Sequence, residues 1–227
     1  SPGHITSSGL NHRWQADLVD MQKYPSKLGK NMHWILVVVD VFSRKLYARP
    51  MPTKEVVNVI AAFTNILREA DAVPIRLDTD HGSEFGKTFD TETPDMTHRR
   101  ANIGDHNALG VVDAGIRIFK NLIFKHMTSQ GDPTAGGLYS WARNLKDLVE
   151  NFNDQPREAL LGNTPNEVNS DEELDMTISA LNHEKRQKGT TEKPAPFEIG
   201  DMVRIPAQTG PFKRGFKAQQ SKTTYKV

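Results

Sequence analysis

RLDTDHGSEF, residues 76–85, decides how this chain is read. An apolar-tipped run, VPIRL, feeds two acids, Asp78 and Asp80, and then a His-Gly break. A strand that ends in acids has two explanations. Asp80 opens a turn, since Asp bonds backbone amides two residues on, or it is one oxygen ligand of a metal site at a strand end. The segments on either side bear on the choice.

Upstream, HRWQADLVDM (12–21) alternates weakly and reads as a strand. NMHWILVVVDVFSRKLYARPM (31–51) reads as two strands around a turn near Ser43. Its run WILVVVDV is β-branched and unbroken, the pattern of a central strand buried on both faces. KEVVNVIAAFTNILREA (54–70) places Val56, Val57, Ile60, Phe63, Ile66 and Leu67 at helical spacing, with Thr53 as the N-cap.

Downstream, residues 86–107 are polar and patternless and read as a loop. LGVVDAGIRIFKNLIFKHM (109–127) repeats Val112, Ile116, Phe119, Ile123 and Met127 on one helical face. GLYSWARNLKDLVENFND (137–154) reads as a second helix and LLGNTPNEV as a turn. Residues 171–189 read as an exposed helix, acidic at its start and basic at its end, as the helix dipole favours. TTEKPAP is a linker, and FEIGDMVRI with TTYKV starts a separate β unit. Strands, helix, strand and helices in this order predict an α/β fold, a mixed sheet flanked by helices.

The composition is that of a globular chain. Of 227 residues, 37% are hydrophobic and 25% charged, and no apolar run approaches a membrane span. Cysteine is absent, which excludes disulfides, thiolate nucleophiles and Cys-ligated zinc together. The net charge of +1 hides an asymmetry. From His183 onward ten Lys/Arg face four Asp/Glu, which leaves nineteen against twenty-four before it. A basic tail on an acidic body points to a polyanionic partner. The opening SPGHITSSGL reads as a flexible leader.

Three acids sit where strand and helix ends can bring them together: Asp17 in the first strand, Asp80 after the fourth, and Asp113 near the start of the 109–127 helix. Converging carboxylates bind hard divalent cations, and Mg suits an open, water-rich oxygen site. Two such ions can activate an attacking oxygen and stabilise a leaving one in phosphoryl transfer. The chain has 28 acids, so spacing alone does not single out this triple.

The local motifs do. WQADL around Asp17, TDHGSEF around Asp80 and GVVDAGIRIFK around Asp113 occur in the order found in the catalytic core of retroviral-type integrases, which the chain resembles. DVFSRKLYARPMPTKEVVNVIAAF and LVENFNDQPREALLGNTPNEV extend the resemblance through the core. FEIGDMVRIPAQTGPFKRGFKAQQSKTTYKV is similar to the start of the family's C-terminal β-barrel, nearest to integrases of Maverick/Polinton and Gypsy-type elements. The resemblance implies a ribonuclease-H-like sheet over residues 12–170, after a leader at 1–11. A helix and linker at 171–196 and the start of an SH3-like β module at 197–227 follow.

It also implies a DDE-type polynucleotidyl transferase. Asp17, Asp80 and Asp113 would be the catalytic residues and hold two Mg or Mn ions, with no zinc. Arg117 and Lys120, four and seven residues beyond Asp113 on its helix face, would meet DNA phosphate. Lys213, Arg214 and Lys217 of the tail would do so without reading sequence. DNA would be the partner, with homo-oligomerisation, a nuclear location and no membrane.

The third motif departs from the family. Related elements read close to VERFNRTLK where this chain reads VDAGIRIFK, so Glu has become Asp, one methylene shorter. Gly115 within a helix costs roughly 1 kcal/mol against Ala. The interval from Asp80 to Asp113 is also shorter than the family's usual one. Asp105 with His106 is a rival third ligand. The alternative reading is therefore a domesticated, catalytically inactive integrase fold that binds nucleic acid, RNA included, or protein within a nucleoprotein assembly such as a ribosome, with a mitochondrial location possible. Beside the triple, Asp78 reads as a solvated strand end, Glu84 as a turn anchor or DNA contact, and Asp20 and Asp40 as structural acids. His12, His33 and His126 have no ligand spacing.

Overall fold

A computed structural model describes residues 5–28, 30–102, 108–133, 137–168, 172–190, 202–203 and 225–226. Its centre is a mixed sheet of five strands in the order β5-β4-β1-β6-β7. The strands are β1 (Arg13–Asp20), β4 (Trp34–Asp40), β5 (Leu46–Met51), β6 (Arg76–Thr79) and β7 (Thr97–Arg100), and a small hairpin, β2 (Ser26–Leu28) and β3 (Lys30–Met32), precedes β4. β1, β4 and β5 pair antiparallel, whereas β6 and β7 add on parallel to β1. Ile35 to Val39 of β4 are all buried, which is the both-faces burial that its unbroken β-branched run predicts.

The sheet has a core on each face. One sets Val37, Val39, Leu46 and Val19 against helices α3 (Gly110–Ser129) and α4 (Leu145–Asn153), through Val112, Ile116, Phe119, Ile123 and Phe152. The other sets Trp14, Leu36, Val38 and Leu77 against α1 (Val56–Ala70) through Val59, Phe63 and Ile66, and takes in Phe85 and Phe89. Gly115 explains itself here. A Cβ at that position would lie 3.3 Å from Val39 Cγ2, so the missing side chain lets α3 approach β4 closely.

Several expectations change. Residues 86–107 are not all loop: Lys87–Glu92 form a short helix, α2, and Thr97–Arg100 form the edge strand β7. Two turns of polar helix and a four-residue edge strand carry too little apolar period to be read from sequence. The helix expected at 137–154 begins only at Leu145, because Gly137 takes a left-handed φ and residues 141–143 turn. Thr53 does not cap α1 directly. The cap residue is Glu55, without a side-chain bond, and Thr53 Oγ1 instead accepts from Asn58. Val57, expected on the apolar face, is exposed.

The first residues described also differ from a flexible leader. Thr6 and Ser7 are buried, and Leu10 packs on a third cluster of Phe42, Leu160, Val168 and Ile178. Ile178 belongs to α6 (Glu172–Thr190), so that helix is packed on one side and not exposed all round. It follows the single turn α5 (Pro165–Val168). The last 39 residues, from Gly189, form a separate unit. Within it Met202–Val203 and Tyr225–Lys226 pair antiparallel, and the rest of the expected β module lies outside the described residues. No described helix is long and apolar enough to cross a membrane.

Asp78 is the largest correction. It is 3% exposed, not a solvated strand end. Arg13 Nε donates to its Oδ2 at 2.6 Å and Arg76 Nε to its Oδ1 at 2.6 Å, which ties the first residues of β1 and β6 together. Asp78→Ala leaves two adjacent guanidiniums without their shared acceptor. We expect a loss of about 2–3 kcal/mol in unfolding free energy, read by urea denaturation; stability equal to the parent chain would contradict this role.

Candidate functional site

Parallel pairing of β1 with β6 sets Arg13, Trp14 and Gln15 opposite Arg76, Leu77 and Asp78, so both strands run on toward the same sheet end. Asp17 lies in β1 and is largely shielded from water. Asp80 follows β6 directly and is exposed. Its Oδ1 accepts the Gly82 N–H at 2.9 Å, the two-residue bond of an Asp turn. Asp80 thus opens the turn and leaves its carboxylate exposed to solvent.

Asp113 reaches the same region through a cap on its helix. α3 begins at Leu109 with no side-chain cap of its own. Gln15, buried in β1, supplies one. Its Oε1 accepts the N–H groups of Val111 and Val112 at 3.1 Å each, and its Nε2 donates to Ala108 O at 2.8 Å. Two orphan donors of the first helical turn are satisfied from the strand that carries Asp17 two residues on. Asp113 sits in that first turn, where the helix dipole favours a negative charge.

Electrostatics show which acids feel one another. The Asp17 carboxyl rises from an ordinary value of 3.8 to about 6, chiefly by burial, with the charges of Asp80 and Asp113 adding to the rise. The Leu18 N–H, 2.7 Å from Asp17 Oδ1, and the Lys120 ammonium pull the other way. Burial raises the Asp113 carboxyl as well. The Lys120 charge therefore lies within electrostatic reach of Asp17, and Arg117 is exposed on the same helix.

The three carboxylates thus converge electrostatically, but they do not close on a point. Among the described residues, no three His, Asp or Glu side chains stand close enough to hold one ion together. The donor set, all carboxylate oxygen with one member raised chiefly by burial and further by its neighbours' charges, fits a hard divalent cation in charge and ligand type. Asp17 and Asp80 would hold such an ion, with Asp113 to swing in.

The remaining candidates separate from this cluster. Asp78 is committed to Arg13 and Arg76. Asp20 accepts from Gln22 in its own turn. Asp40 is buried and accepts from Ser43 N and Oγ, which makes it a turn acid. Glu84 lies in the 3₁₀ turn after Gly82, with the Ser83 hydroxyl 3.5 Å from its carboxylate. His12 bonds the Ser8 hydroxyl and His126 the Ser140 hydroxyl. Asp105, His106, Lys213, Arg214 and Lys217 lie outside the described residues. Gln15 was missed in the sequence, although its place beside Asp17 in WQADL was the available signal.

The comparisons with known proteins agree with this fold. The integrase core domain family matches residues 8–103, fewer than half of the chain. A transposon-derived protein of Caenorhabditis elegans is 22% identical over 201 residues, which span 87% of this chain and 63% of that protein. The simian T-cell lymphotropic virus intasome contains a chain that superposes with a TM-score of 0.65 at 16% identity, over 98% of this chain and 70% of that one. The catalytic core of BIV integrase gives a TM-score of 0.54 at 18% identity, over 76% and 99%. The HTLV-2 integrase catalytic core in complex with magnesium gives 0.52 at 19% identity, over 73% and 98%. The fold is that of the ribonuclease-H-like integrase catalytic core.

Because the folded-state value of Asp17 is raised, the folded chain binds more protons than the unfolded one between pH 3.8 and about 6. Stability therefore falls as pH rises through that window, and the Asp17 charge costs stability above it. Asp17→Asn should raise unfolding free energy near pH 7 by on the order of 2 kcal/mol and flatten the profile below it. Thermal unfolding across pH 4 to 8 checks this; a variant less stable than the parent near neutrality would contradict it.

Proposed function

We propose that the chain is an integrase- or transposase-like polynucleotidyl transferase acting on DNA, with Asp17, Asp80 and Asp113 as its catalytic carboxylates. One observation carries the reading: Asp80 at the end of β6 and Asp113 in the first turn of α3 stand near enough to Asp17 of β1 for their charges to add to its raised proton affinity, in the fold of the integrase core. A divalent cation, Mg or Mn, bound there would supply charge stabilisation and an activated oxygen nucleophile. Asp17 and Asp80 would hold and orient it. Asp113 would complete the set on binding, as the shorter side chain in place of Glu demands some movement of α3's first turn. The tail sequence FEIGDMVRIPAQTGPFKRGFKAQQSKTTYKV points further to an element of Maverick/Polinton or Gypsy type.

Arg117 and Lys120 lie four and seven residues beyond Asp113 on α3 and would meet the phosphate backbone beside the reacting centre. Lys213, Arg214 and Lys217 would extend that contact in the tail. The chain spans 63% of the length of the curated relative it matches, so partner copies and assembly belong to the proposal as well.

A second reading has its own observation. The three carboxylates do not close on one ion as they stand. A fold kept for binding nucleic acid or protein in a larger assembly, without chemistry, would relax the site in this way.

Two measurements separate the readings. In Mg-dependent joining of oligonucleotide 3′ ends, Asp17→Asn and Asp80→Asn should each lower the rate by about 100-fold or more, and Asp113→Glu should raise it, since a misplacement of about 1 Å can cost that factor. Salt-sensitive DNA binding without any joining in the parent chain would favour the second reading. Arg117→Ala and Lys120→Ala should weaken binding on all sequences alike and each reduce the salt slope by about 1; a sequence-selective loss would contradict phosphate contact.

A further inference from the structure

The turn that carries Asp80 is fixed at both ends by one polar network centred on Asp90 of α2. β7 runs parallel to β6, with Leu77 opposite His98 and Thr79 opposite Arg100. His98 and Arg100 are two residues apart, so they leave β7 on the same face. The His98 side chain is 5% exposed and packs its ring against Phe89 and Phe85. Its Nδ1 stands 2.5 Å from Asp90 Oδ1 and its Nε2 2.8 Å from Thr79 Oγ1. Thr79 is fully buried, and its hydroxyl donates to the backbone carbonyl of Asp80 at 2.9 Å.

The second arm starts from the other carboxylate oxygen. Arg100 Nη2 donates to Asp90 Oδ2 at 2.7 Å, and Arg100 Nε donates to Phe85 O at 2.9 Å. Asp90 thus spends one oxygen on each arm. One arm, His98 and Thr79, ends on Asp80. The other, Arg100, ends on Phe85, the last residue of the 3₁₀ turn that follows. Burial opposes ionisation of Asp90, and the bonds from Arg100 and His98 outweigh it and hold the carboxyl below its usual range. Phe85 is packed in the apolar core, but Asp80 is exposed and its carboxylate is held only by the Gly82 amide among the described residues.

We propose that Asp90, His98, Thr79 and Arg100 form a positioning clamp that fixes where the Asp80 carboxylate stands for cation ligation. The inference rests on the active-site reading above and assigns a supporting shell to residues that touch neither metal nor DNA. Ligand carboxylates must stand within tenths of an ångström of their places, and their hydrogen-bonded supports set affinity. A network serving only to hold β7 on the sheet would have no need to reach both ends of the Asp80 turn.

The test uses the full chain and Mn as the probe. Mn affinity is titrated calorimetrically, well below each variant's melting temperature, for the parent, Asp80→Asn, Asp90→Ala, Thr79→Val and Thr79→Ser. Amide hydrogen exchange over residues 80–86 is read on the same metal-free samples. The parent should bind and Asp80→Asn should not. Asp90→Ala and the near-isosteric Thr79→Val should weaken Mn binding about 10- to 100-fold. Thr79→Ser, which keeps the hydroxyl, should stay near the parent. Exchange over 80–86 should quicken in Asp90→Ala. If Asp90→Ala does not fold, Thr79→Val against Thr79→Ser decides.

Unchanged Mn affinity in folded Thr79→Val and Asp90→Ala, with Asp80→Asn still inactive in binding, overturns the clamp and leaves the site reading standing. Failure of the parent chain to bind Mn overturns the site reading, and the clamp's role with it.

Discussion

The buried Gln15 amide joins the central sheet to the start of helix α3. One side chain on β1 satisfies two N–H groups and one carbonyl at the start of α3. An uncapped helix start buried against a sheet would leave orphan donors with a cost of about 1–3 kcal/mol each. By placing the cap on a strand and not on the helix's own preceding residue, the chain fixes the helix's first turn relative to β1. Asp113 is in that turn and Asp17 is two residues past the amide. Close packing of α3 on β4 at Gly115 holds the rest of the helix against the same sheet.

This construction carries an electrostatic cost. Partial burial, with Asp80 and Asp113 nearby, raises Asp17 well above its ordinary range. Folding supplies no cation of matching strength, since Lys120 offsets only part of the effect. Elsewhere the same chain handles a buried acid differently: Asp78 receives two arginines. The contrast between the ion-paired Asp78 and the under-compensated Asp17 cluster is the physical ground for reading the cluster as a functional site.

Much of this was legible in the sequence, for reasons that differ by element. The β-branched run at Ile35–Val39 and the 3.6-residue repeat from Val112 to Met127 declare their burial through side-chain period alone. Asp17 and Asp80 stood out by local motif, and the sheet pairing does bring β1 alongside β6. β7 and α2 escaped because they are short, and β7 is an edge strand whose exposed residues, Thr97 and Arg99, are polar. Asp78 was misjudged because its partners, Arg13 and Arg76, become neighbours only when β1 and β6 pair in register. Gln15 and the Asp90 network escaped for the same reason. Hydrogen bonds between residues as far apart as 97 positions leave no periodic trace.

The most direct test of the account is an anomalous diffraction measurement on crystals of the full chain soaked in Mn. The account predicts a peak bridging the Asp17 and Asp80 carboxylates, with Asp113 turned toward it, that disappears in Asp80→Asn. A fully soaked crystal with no peak between Asp17 and Asp80 would contradict it and leave an integrase-core fold that holds no metal at its acidic sheet end.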